Sequence, residues 1–159
     1  MSPSPDHEYS QEESRRKWFF LAHEKEKKRY STLNLSSHGL LLQLDVKRAF
    51  VAGAWASTVV MAQAVIEATI RDLETKDYST KAKQLFEGHG DLDRIRTLRN
   101  ELLHPQLPGS PSIVWVVSGG DYSACHAALE DAAKLAVQLM FRAIYAEGKP
   151  TKSLNSTSA

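Results

Sequence analysis

The sequence predicts an all-α protein, a bundle of four to five helices built around one long central helix. Three observations carry this. Apolar residues recur at helical spacing in several separate segments, and Gly, Pro, Ser and Asn cluster between those segments. The one β-branched run, residues 113–117 (Ile-Val-Trp-Val-Val), has no evident partner strand and reads as a possible short extended segment. Short connections between amphipathic helices give a bundle.

The first helix is expected from about Gln11 to Tyr30, with Trp18, Phe19, Leu21 and Ala22 as its apolar stripe. Its last turns hold Lys25, Lys27, Lys28 and Arg29, cations that suit the negative end of the helix dipole. After a polar stretch, a second helix is expected to run unbroken from near Leu40 to about Lys76. Along it Ala49, Gly53 and Ser57 recur every four positions, a spacing that lets another helix approach closely. A short helix then follows Ser79 or Thr80 and ends at Gly88. Asp91 is the expected N-cap of the next helix, whose stripe is Leu92, Ile95, Leu98 and Leu102 and which Pro105 stops. The last helix is expected from Asp121 or Ser123 to about Tyr145, with Ala128, Ala132, Leu135 and Leu139 facing inwards. Residues 1–11 and 148–159, rich in Ser, Thr and Pro, read as disordered tails, which leaves residues 12–147 as one folded domain.

Composition narrows the function classes. With 159 residues, 42% of them hydrophobic and 25% charged, the chain holds enough apolar material for one core. Lys plus Arg number 20 against 19 Asp plus Glu, so the formal charge of +1 excludes attraction to nucleic acid by the whole surface and leaves only a local patch. The single cysteine, Cys125, closes no intramolecular disulfide, and no CxxC or Cys/His grouping marks a structural zinc site; a reducing cytoplasm is the expected location. The N-terminus lacks the order of a secretory signal. Residues 49–66 are uncharged and about as long as the shortest spanning helices, but half of them are small or polar, so a buried core helix is expected and no membrane partner.

Several groups have plain structural readings. His89, Asp91 and Asp93 lack a tetrahedral ligand set, so no metal is expected there. Cys125 and His126 are adjacent on a helix and diverge, which makes Cys125 a semi-buried thiol. Trp18, Trp55 and Trp115 read as core or interface. The basic cluster from Lys25 to Arg29 is either a solvated face or a guide for RNA.

One constellation points to chemistry: Arg99-Asn100-Glu101-Leu102-Leu103-His104, followed by Pro105. At 100° per residue Asn100 and His104 share a helix face, Arg99 lies one step round, and Leu98 and Leu102 point to the core. Pro105 disfavours the α conformation at His104, which is expected to let the imidazole lean towards Arg99. Glu67, within the apolar central helix, is either the partner that pairs with Arg99 and sets its geometry or simply that helix's polar edge.

This segment resembles the R-x4-H motif, with Asn after the Arg, of the HEPN superfamily of helical-bundle ribonucleases and nucleotide-binding modules. The resemblance spans roughly residues 40–145. It implies a metal-independent endoribonuclease, without cofactor, that dimerises so that two motifs face each other across a cleft and cut RNA in phage defence or a toxin–antitoxin-like system. By that resemblance His104 acts as general base or acid, Arg99 holds the scissile phosphate, and Asn100 orients His104 or binds phosphate. Where one branch of the family has Tyr two residues after the His, this chain has Gln106, which puts the tyrosine-modified toxin reading in doubt. The alternative is a non-catalytic HEPN-like module that binds RNA or nucleotide or assembles subunits.

Overall fold

A computed structural model describes residues 5–29, 37–75, 89–104 and 122–145. They form five helices: α1 (Pro5–Arg29), α2 (Ser37–Val51), α3 (Trp55–Thr75), α4 (His89–Leu103) and α5 (Tyr122–Tyr145). No strand occurs among the described residues, and the fold is an all-α bundle. Residues 113–117, the short helix expected before Gly88 and the segment 148–159 lie outside the described residues.

α3 occupies the centre, packed on α2, α5 and α4, while α1 lies across α5 and α2. Val59, Ala62, Val65 and Ile66 of α3 are buried against Ala133, Ala136, Val137 and Met140 of α5 and Val46 and Phe50 of α2 in one core. Burying each branched or aromatic side chain contributes about 1.5–3 kcal/mol. An aromatic seam fastens α1: Trp18 stacks on Phe50 at 5.0 Å, and Phe19 meets Phe141 edge-on at 5.1 Å. The buried hydroxyls of Thr58 and Thr69 donate to the carbonyls of Ala54 and Val65 one turn back, so neither leaves an unmet donor in the core. Among the described residues no helix is long and apolar enough to cross a membrane.

The expected unbroken helix from Leu40 to Lys76 is two helices. The chain turns at residues 52–54, where Gly53 has φ of +75° and the amides of Ala54 and Gly53 donate to the carbonyls of Ala49 and Phe50. That pair of bonds is the Schellman motif, with Gly53 at the left-handed position after the helix. Apolar periodicity did not reveal it because the core continues on both sides of the corner. Gly53 therefore serves as a helix stop rather than as part of a close-packing stripe.

Other boundaries differ for local reasons. α1 starts at Pro5, so residues 5–11, expected as tail, are helical; proline's fixed φ suits a first helical turn, and Gln11 accepts a hydrogen bond from Arg15 at 3.1 Å. Leu21 is exposed, since Phe19, Ala22 and Glu26 take the inner face. α4 starts at His89, which places Asp91 in the first turn, where its charge suits the dipole, instead of at the cap. In α5 Ala132 and Leu139 are buried and Leu135 is half-buried against the core, as expected, but Ala128 is exposed, and Ala133, Ala136, Val137 and Met140 widen the buried face.

Candidate functional site

The site stands where the last turns of α4 cross α3. Leu92 and Ile95 are buried and Leu98 and Leu102 half-buried against the core, and this stripe fixes the rotation of α4 about its axis. Arg99, next to Leu98 on the helix, is thereby held at the edge of the interface with its side chain 30% exposed. Its Nη1 donates to Asn100 Oδ1 at 2.8 Å, and its Nη2 lies 3.7 Å from Glu67 Oε2 on α3. Glu67 in turn accepts a hydrogen bond at Oε1 from Gln63 Nε2, at 3.2 Å. Gln63 is wholly buried, so the arrangement runs from the core outwards: amide, carboxylate, guanidinium, exposed Asn100.

His104 closes the helix. Its amide donates to the carbonyl of Asn100 at 3.0 Å, which carries the helical turn up to residue 104, and its side chain is exposed. Among the described residues no hydrogen bond joins the imidazole to Arg99 or Asn100. The structure thus brings Arg99, Asn100 and Glu67 together and sets His104 one turn beyond them, open to solvent. A guanidinium held at two of its nitrogens keeps further donors for an anion, and a neighbouring imidazole is the side chain best suited to move protons near neutral pH.

Lys25, Lys27, Lys28 and Arg29 are exposed on the last turns of α1, with Lys27 3.9 Å from Glu24. α1 packs mainly on α5 and α2 while α4 packs on α3 and α5, so the cluster and Arg99 stand on helices that do not pack closely on each other.

Two further polar constellations escaped sequence reasoning. At the α2–α3 corner, Arg15 donates to the carbonyl of Val51 at 3.2 Å and lies over the Trp55 ring at 5.1 Å. His126, which also lies against the Trp55 ring, donates from Nε2 to the carbonyl of Gly53 at 3.0 Å. A guanidinium and a ring N–H thus donate to carbonyls at the C-terminal end of α2, groups that helix C-termini leave without an intrahelical donor. The only advance signal was a glycine just before Trp55 in an apolar run. The second constellation joins α1 to α5: the Tyr145 hydroxyl and His23 Nε2 are 2.6 Å apart, and Glu24 Oε1 is 3.3 Å from His23 Nδ1. The carboxylate favours a proton on Nδ1, so Nε2 accepts from the hydroxyl. Burial first, and then the charge of Glu24, raise the Tyr145 hydroxyl above its usual value. Such a phenol stays protonated and serves as a hydrogen-bond donor.

Fold and site define an all-α bundle with an arginine-centred polar cluster at the exposed end of one helix. Compared with protein-family models, with curated proteins and with solved structures, the chain matches none of them.

Proposed function

We propose that the chain is a metal-independent endoribonuclease of the HEPN type, acting as a homodimer on RNA in the cytoplasm within a defence or toxin–antitoxin-like system. The observation that supports it most is the Arg99 cluster: a half-buried guanidinium anchored by Asn100 and Glu67, with His104 one helical turn away on an exposed helix end. In this reading Arg99 binds the scissile phosphate and stabilises the charge that grows on it. His104 of one subunit takes the proton of the ribose 2′-hydroxyl, the 2′-oxygen attacks phosphorus, and the bond to the 5′-oxygen breaks. The second subunit's imidazole returns a proton to that leaving oxygen. The products are a 2′,3′-cyclic phosphate and a 5′-hydroxyl. Two-fold symmetry supplies the second His and a second Arg, which concentrates positive charge at one cleft of a near-neutral chain.

Purified protein is expected to cleave RNA in EDTA, with Arg99→Ala and His104→Ala each lowering the rate by at least about a hundredfold, the scale of one lost general base or one lost charge-stabilising group. Circular dichroism should show both variants folded. Undiminished cleavage in both would sink the assignment.

A second reading, a non-catalytic module that binds RNA or nucleotide, is favoured by one observation. Within a single subunit Arg99 is already engaged by Glu67 and Asn100, and His104 is not joined to them. It predicts binding without turnover.

A further inference from the structure

Gln63 stands out on α3. Its neighbours on the buried face, Val59, Ala62, Val65 and Ile66, are apolar, yet Gln63 is as completely buried as they are. A buried amide is unfavourable unless its groups are paired. Here the pairing is incomplete: Nε2 donates to Glu67 Oε1 at 3.2 Å, while among the described residues Oε1 has no hydrogen-bond partner. Leucine or methionine would fill a similar volume without an unmet acceptor. The amide is therefore poorly explained by stability, and its one side-chain hydrogen bond among the described residues leads to the candidate site.

We infer that Gln63 is a positioning residue, which acts through Glu67 to set the orientation of the Arg99 guanidinium. Helical spacing makes this direct, since residues four apart lie one above the other. With Oε1 of Glu67 held by Gln63, Oε2 is presented to α4, 3.7 Å from Arg99 Nη2. Asn100 fixes the other terminal nitrogen at 2.8 Å. The 3.7 Å separation is too long for a hydrogen bond, so Glu67 restrains Arg99 through charge and direction. Freed from Gln63, the carboxylate rotates towards solvent, which half-exposed Glu67 already reaches, and Arg99 loses its second restraint.

The role of Arg99 in this inference rests on the ribonuclease reading, so the test carries one readout that does not. In the full-length protein, the guanidinium resonances of Arg99 are assigned by their loss in Arg99→Lys and followed by nitrogen-15 NMR. Gln63→Met is expected to broaden or remove them, as is Glu67→Gln, while the melting temperature of Gln63→Met stays level or rises because an unmet buried acceptor has gone. Gln63→Leu serves as the second variant if methionine packs poorly. A purely structural glutamine would show the reverse: a lower melting temperature and unchanged Arg99 signals, an outcome that overturns the inference. On RNA, Gln63→Met is expected to lower kcat about tenfold with KM little changed, the mark of an interaction that matters in the transition state. If the Arg99 signals respond but the wild type cuts no RNA, the positioning role stands and the ribonuclease reading falls. If the wild type cuts RNA in an Arg99-dependent way and Gln63→Met changes neither signals nor kcat, the positioning role falls alone.

Discussion

Gly53 shows how a single residue can be held from two sides. Its φ of +75° is readily available only to glycine, and a Cβ there would sit 2.9 Å from Arg15 Nη1. Gly53→Ala is thus expected to lower stability by about 1–3 kcal/mol in urea melts, from backbone strain and displacement of Arg15 together. In the Arg15→Ala background the steric part disappears, and the added loss should fall to about 1 kcal/mol, the backbone part alone. Tyr145 gives a pH-dependent case. Its folded-state value is raised, so the stability it contributes is complete below its unfolded value of 10.0 and is lost as pH rises through the higher folded value. Tyr145→Phe should be less stable than the wild type at pH 7 by about 1 kcal/mol, the worth of the bond to His23, and should lose less stability as pH rises above 10.0.

At the scale of helices, α4 is the element on which the candidate site depends, and Leu92 and Ile95 are its buried anchors. Ile95→Ala should destabilise by about 2–4 kcal/mol, and hydrogen exchange should show α4 amides losing protection before those of α3 and α5. Much of this level was legible beforehand. Leu92, Ile95, Leu98 and Leu102 gave the face of α4 because a one-sided helix keeps a clear period, and the same argument brought Arg99, Asn100 and His104 to its open side. The break between α2 and α3 was not legible from periodicity, since both helices bury apolar residues and only turn chemistry at Gly53 separates them. Glu67 was legible as either a partner for Arg99 or the polar edge of its helix, since a carboxylate in an apolar helix needs a partner, and its 3.7 Å approach to Arg99 matches the first. Gln63 carried no such signal: an uncharged amide becomes conspicuous only when its burial is known.

For the whole molecule, the balance of 20 basic and 19 acidic side chains means that any attraction to RNA is local. The Lys25 to Arg29 cluster and Arg99 stand on helices that do not pack closely on each other, so the two should separate experimentally. Replacing Lys25, Lys27, Lys28 and Arg29 by alanine is expected to reduce the slope of log affinity against log salt by about 1 for each phosphate that is no longer neutralised, with single-turnover cleavage at saturating protein unchanged. An unaltered slope would show that these cations do not touch RNA.

The corner at Gly53 also acts as an angular reference. Because the chain stops and restarts there, the direction in which α3 points each side chain is counted from Trp55, itself clamped by Arg15 and Phe50, and not from α2. One residue inserted between Trp55 and Gln63 would turn everything beyond it by about 100°, carrying Gln63 and Glu67 off the α4 side while leaving the helix intact. The geometry around Arg99 is thus set in part by a turn on another stretch of the chain, about two helical turns before Gln63.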